Sequence, residues 1–300
     1  MNRPSRLQTE LAFWLGDHCV GTQRYNAMDD EGRVLDSLNP VVFPDGSMLG
    51  IHHTMRNGTF DLCLADSDDG LEWKHVRLLT THGSQGELFH AKDESWWTAF
   101  ETDAPASVHI RLQRYRTLGA LRKGEPLLDT TLPRTLAPTA EGTPSFESTA
   151  GNTAKLRLHY YKNGDVDRAA SAEYRGQDRW VAKSEDRWNH GLEQLGVLGN
   201  IGGRTKMRIA GKDWYIQEGQ LKKNDWSSWR LWLVEAKSQI PIQIQMRTPK
   251  ESMSFANPHA IRVGSNREQL MMTVFMPSEG NASLEKGSLI SIRRIPLQWR

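Results

Sequence analysis

The chain has 300 residues, 38 of them basic and 36 acidic, giving a formal net charge of +2. That balance excludes the gross cationic bias of a nucleic-acid or anionic-membrane binder, and no apolar run reaches membrane-spanning or signal-peptide length. Cys19 and Cys63 are too few for a disulfide framework and lack metal-ligand spacing, so they read as free thiols. The expectation is a soluble, cytoplasmic chain whose length suffices for a sizeable core.

In chain order, Leu7 to Leu15 reads as a short amphipathic helix and residues 19 to 28 as a strand. A first unit follows from about residue 38 to 82: an apolar strand from Asn39, the turn Pro44-Asp45-Gly46, a second strand, a Gly-containing turn, a third strand ending at Ala65, and a tight turn into a fourth strand, Lys74 to Thr80. Further units run over about 83–138, 139–195, 196–250 and 251–300, with Lys92-Asp93-Glu94 replacing the first turn and Trp96 to Phe100 as a second strand. Strand, polar turn, strand recurs at Asn39, Gly86, Gly142, Gly202 and Asn257, at intervals of 47, 56, 60 and 55 residues. The period lies at or slightly above the ~40–50 residues of propeller blades. The prediction is an all-β, single-domain, five-bladed β-propeller. Its fifth unit shows three clear strands, so the ring closes with the N-terminal strand from 19–28; a β-sandwich or two β domains is the alternative.

A propeller localises function, because the innermost strands converge on one channel mouth. The segments to inspect are Asp36 to Asn39, Gln85 to His90, Glu141 to Phe146, Arg204 to Lys206 and Asn257 to Arg262. Arg204 and Lys206 alternate on one strand and share a face. Gln217 and Glu218 point to opposite sides, so at most one of them lines the channel; His52-His53, His90 and His259 lie on or near the inner strands. The bland readings are a loop carboxylate for Glu141, a turn cap for Asn39, and hydrogen-bonded core groups for the histidines. Most of the eleven Trp are blade packing, one of Trp96 and Trp97 being a candidate sugar platform.

Asp66 to Trp73, DSDDGLEW, is similar to the Asp-box turn of sialidases, and Ser67, Asp69, Gly70 and Trp73 resemble the SxDGxxW turn of five-bladed propeller glycosidases. Asn39-Pro40 resembles the D-P opening of the first blade in glycoside hydrolase family 43 and its relatives, and Glu141-Gly142 their E-G-P opening of the third. The resemblance implies two carboxyls flanking a glycosidic bond, roughly 6.5–9.5 Å apart to admit water. Carried over by position, Glu141 is the general acid. The base position holds Asn39 and the second-blade position Gln85, so Asp36 or Glu87 is the displaced base. Asn-Pro also opens the first blade of the mannoside phosphorylases of family 130, in which phosphate is the nucleophile; Arg204, Lys206 and His259 would then be its cationic cluster.

Asn39, Gln85, His90, Arg204, Lys206, Glu218 and His259 are the expected substrate-binding residues, and Glu141, Asp36 and Glu87 the catalytic ones. No P-loop, dinucleotide glycine pattern, HExxH or Gly-x-Ser-x-Gly elbow is present. No metal site and no cofactor are expected; some propeller glycosidases hold a channel cation such as calcium, for which no ligand set is legible. The partner is a carbohydrate, with no nucleic acid or membrane, and the oligomeric state is open. The two readings carried forward are a glycosidase-like enzyme, by hydrolysis, phosphorolysis or sugar transfer, and a propeller that binds a glycan or protein without cleaving it.

Overall fold

The structure is a computed structural model that describes residues 3–17, 20–104, 108–176 and 179–300. Helix α1 (Arg6–Gly16) precedes the short strand β1 (Thr22–Arg24). The first sheet is β2 (Asp36–Val42), β3 (Met48–Arg56), β4 (Thr59–Ser67) and β5 (Lys74–Thr81). The second is β6 (Gly83–His90), β7 (Trp96–Thr102), β8 (His109–Tyr115) and, after helix α2 (Leu118–Lys123), β9 (Leu128–Thr131). The third is β10 (Glu141–Ala150), β11 (Thr153–Lys162), β12 (Val166–Tyr174) and β13 (Trp180–Ser184). Helix α3 (Asp186–Glu193) leads to the fourth, β14 (Ile201–Ile209), β15 (Lys212–Gln220), β16 (Trp229–Glu235) and β17 (Pro241–Ile244). The fifth is β18 (Ala256–Val263), β19 (Gln269–Met276) and β20 (Gly287–Arg294), completed by β1.

These five antiparallel, four-stranded sheets are the blades of a five-bladed β-propeller. The N-terminal strand closes the fifth, Thr22 facing Ile292 and Arg24 facing Ile290. It is shorter than the 19–28 of the sequence reading, and Cys19 lies outside the described residues. α2 and α3 went unforeseen because each is a turn or two long, too short to show a helical period.

By packing, the chain forms two compact units, one of residues 28–43 and 47–185 (blades one to three) and one of residues 1–27, 44–46 and 186–300 (blades four and five). In the first, alternation sorts the side chains: β11 buries Ala154, Leu156, Leu158 and Tyr160 against Trp97, Phe146 and Trp180, while Lys155 and Arg157 point outward. Trp96 and Trp97 are both buried in cores of this unit, which removes either as a sugar platform. In the second, α1 lays Leu11, Trp14 and Leu15 on a core with Trp214, Ile216 and Leu233.

The turn between β4 and β5 is built as its sequence suggests. Ser67 Oγ accepts the Gly70 N–H at 2.8 Å, and Asp69 Oδ1 accepts those of Leu71 and Glu72, each at 2.8 Å. Trp73 Nε1 donates to the Gly70 carbonyl at 3.1 Å, seating the buried indole, and Gly70 supplies the left-handed φ of +78°.

Arg293 ties the N-terminal helix to the fifth blade. Its buried guanidinium donates to the carbonyls of Trp14 (2.9 Å) and Leu15 (3.1 Å) at the C-terminal end of α1, and lies over the Trp14 ring at 5.6 Å. Truncation removes the donor to the Leu15 carbonyl and opens a cavity. R293A is expected to destabilise the protein by about 2–4 kcal/mol, read as a lower midpoint in chemical denaturation.

Candidate active site

Each innermost strand carries a β-bulge at the same register position. It falls between Asp36 and Asn39, Ser84 and Glu87, Gly142 and Ser145, Ile201 and Arg204, and Ala256 and His259. In four of the five the bulged residue is a non-glycine with left-handed φ: Ser37 (+55°), Gln85 (+50°), Thr143 (+44°) and Asn257 (+49°). For a β-branched Thr this is strained, and such strain gathers at functional sites. The bulge re-aims the two or three side chains at the start of each inner strand, and most of the sequence-derived candidates stand there.

In blades one and two the bulges place two hydrogen-bonded groups, Asn39 with Glu87, and Asp36, Ser37 and Gln85 connected through His53. Asn39 Nδ2 donates to Glu87 Oε2 in a short bond, and Ser37 Oγ donates to Gln85 Oε1 at 2.9 Å. Asp36 Oδ2 lies 3.1 Å from His53 Nε2, while His53 Nδ1 accepts the Gln85 N–H at 3.1 Å. Glu87 is only half-buried on the strand edge, yet loss of water pushes its carboxyl up to about 8. The Phe146 N–H and the Asn39 amide pull the other way, and the charge of Glu147 adds to the rise. The rise favours the protonated carboxylic acid at neutral pH.

Glu141 stands at the start of the third inner strand, as the sequence suggested, but its side chain turns to the crossing loop. Its Oε1 accepts the N–H groups of Thr135 (2.6 Å), Leu136 and Ala137 (3.2 Å), and the residue is only 2% exposed. A carboxylate so engaged anchors residues 135–137, and no face of it is open to a ligand. His90 lies at the far end of β6, five residues beyond Gln85, stacked on Trp96 at 4.4 Å and 3.3 Å from Glu94. It belongs to the turn at the opposite end of the strand from the bulge.

Among the acceptors on the second strands, sequence reasoning read His53 as a hydrogen-bonded core histidine and passed over Glu101. His53 receives the N–H of the next blade's bulge, and so does Glu101, whose Oε1 takes the Thr143 N–H at 2.6 Å and hydroxyl at 2.8 Å. His159, at the matching position of the third blade, lies 3.9 Å from Glu101 and 3.7 Å from Asp167. What identifies these residues is pairing with a strained backbone, which leaves no mark in a single sequence. His52, next to His53, is a core group: fully buried, its Nδ1 lies 3.2 Å from the Val34 carbonyl, and burial brings its pKa down to about 4.

In blades four and five, Glu218 plays the same latching part, accepting the N–H groups of Gly203 (2.6 Å) and Asn257. Arg204 is buried over the rings of Trp188 (4.7 Å) and Tyr215 (5.9 Å). Lys206, on the same face but nearer the hairpin, pairs with Asp213 at 3.2 Å. His259 lies 3.4 Å from Thr205 Oγ1, and burial brings its pKa down to about 3. A neutral imidazole and a paired lysine do not make a phosphate-binding cluster with Arg204. Among the described residues no group of three or more His, Cys, Asp or Glu is arranged to hold a metal ion, and no helix is long and apolar enough to cross a membrane.

No protein-family model matches the chain, and no curated protein matches it in sequence. Solved structures do match in fold. The α-L-arabinofuranosidase from Lactobacillus brevis superposes with a TM-score of 0.58 at 9% identity over 88% of this chain and 94% of that one. PaAbf62A, an α-L-arabinofuranosidase from Podospora anserina solved with cellotriose, gives 0.56 at 10% over 93% and 96%. Zg3597, a family 117 glycoside hydrolase from the marine bacterium Zobellia galactanivorans, gives 0.53 at 8% over 92% and 91%. The protein thus shares the five-bladed propeller fold of these structures; at such identities the likeness speaks for fold alone.

The raised Glu87 carboxyl makes stability depend on pH. Below its ordinary value near 4.5 both native and unfolded chains hold the proton; between there and about 8 only the native chain does, so stability is lost as pH rises through that window. In thermal melts from pH 5 to 9, E87Q is expected to lose less of its melting temperature than the wild type, and equal slopes would refute the raised value.

Proposed function

We propose that this protein acts on a glycosidic bond by general acid catalysis, with Glu87 as the acid and Asp36 as the base. The observation that carries the reading is the half-buried Glu87 carboxyl, mostly protonated at neutral pH and held by Asn39 at an inner-strand bulge. Hydrolysis of this kind requires a proton for the departing oxygen and a carboxylate to take one from the attacking water. In the proposed step Glu87 gives its proton to the glycosidic oxygen as the bond to the anomeric carbon breaks. Water adds to that carbon as Asp36 takes its proton, and exchange with solvent resets both groups. Support from kinship is that proteins of this fold include α-L-arabinofuranosidases, one of them solved with cellotriose.

A second reading, a propeller that binds a glycan without cleaving it, is favoured by the amides Asn39 and Gln85 at two family positions and by the engagement of Glu141 with its loop. Turnover separates the two. On a panel of neutral arabinose- and xylose-containing glycans, with and without phosphate, E87Q and D36N are each expected to lower kcat by about 10²–10⁴-fold, with binding retained. E141Q is expected to act mainly on stability. Binding without release of reducing sugar by the wild type supports the second reading, and turnover that survives E87Q removes Glu87 from the acid role.

A further inference from the structure

We infer that His53 is a positioning residue, fixed as its Nε2–H tautomer by the neighbouring blade and holding Asp36 in place; the role in turnover rests on the function proposed above. At the matching register of the second blade, Glu101 accepts the N–H of the next bulge, and in the fourth blade Glu218 does the same for Asn257. Each of these strained backbone N–H groups requires an acceptor. A carboxylate satisfies that need and has no hydrogen to give. The first blade alone among these three uses an imidazole, and an imidazole whose Nδ1 accepts carries its hydrogen on Nε2.

That Nε2 lies 3.1 Å from Asp36 Oδ2, so the bond made by Gln85 to one side of the ring dictates a bond to Asp36 from the other. The ring is locked besides: His53 is 2% exposed and stands edge-on to Phe60 at 4.9 Å. A glutamate at position 53 would serve the latch but set like charge against Asp36. Histidine serves both, which couples the carboxylate's orientation to the seating of the second blade. Gln85 contributes through its backbone here, while its side chain is held by Ser37 at 2.9 Å.

Glutamine can reproduce both bonds, its carbonyl accepting from Gln85 and its amide donating to Asp36; leucine can make neither. Expected results are that H53L lowers kcat by roughly 10–100-fold, the scale for groups that orient a functional ligand, with KM little changed, while H53Q stays within a few-fold of wild type. Imidazole nitrogen NMR on the unmodified protein provides a readout independent of turnover and is expected to show the Nε2–H tautomer, with a D36N variant shifting the Nε2–H resonance. Full activity in folded H53L, or a hydrogen on Nδ1, overturns the inference. If D36N and E87Q leave turnover untouched, the proposed reaction fails while the tautomer result still decides how the ring is held. If D36N abolishes turnover and H53L does not, the positioning role fails alone.

Discussion

The bond between a bulged backbone N–H and an acceptor on the preceding blade is the constraint on which the site depends. A left-handed, non-glycine residue in the first turn of an inner strand is unfavourable by on the order of a kcal/mol, and its N–H is turned out of its own ladder. Burial makes an acceptor obligatory. His53, Glu101 and Glu218 provide it, and each does so across a blade boundary, so the strain that shapes one blade is relieved by its neighbour. The glycines follow from the same contact: a Cβ on Gly142 would collide with Glu101, and one on Gly202 with Glu218.

This accounts for where the polar residues of the molecule collect. The bulge lifts two side chains per blade out of the alternating pattern and aims them along the strand edge, where a ladder would otherwise bury apolar groups. Asp36 and Asn39 in the first blade, and Glu87 in the second, are such side chains. Glu141 precedes its bulge by two residues and escapes the re-aiming, which is why its carboxylate serves the loop instead.

The fold was legible because its signals are local and repeated: turn chemistry at Pro44-Asp45-Gly46 and Ser67 to Trp73, period-two apolar runs, and a recurrence near 50 residues. The missing strand of the fifth blade even pointed to its partner near the N-terminus. The site was legible only as a set of inner-strand openings. That reading names Asp36, Asn39, Gln85 and Glu87, which the structure places at the bulges of the first two inner strands, as any ring of blades would. It does not distinguish Glu87 from Glu141, because which carboxyl meets water and which meets a loop is decided by a one-residue bulge. The roles of His53 and Glu101 are equally illegible, since their partners are backbone groups some 32 and 42 residues onward.

The amide at position 39 has a physical consequence for the chemistry. Two carboxyls in close contact titrate as a coupled pair sharing one proton, so neither is wholly acid or base. An aspartate at 39 would put Glu87 in such a pair. Asparagine gives Glu87 a donor instead, and the single proton then belongs to Glu87 alone, kept by loss of water rather than by a second carboxyl. In the proposed reaction the proton acceptor must then be supplied elsewhere, and Asp36, three residues back and on the other side of the same bulge, is a carboxylate held 3.1 Å from His53, whose other ring nitrogen accepts from the neighbouring blade. On the proposed reading, separating the two groups in this way would divide acid from base by environment.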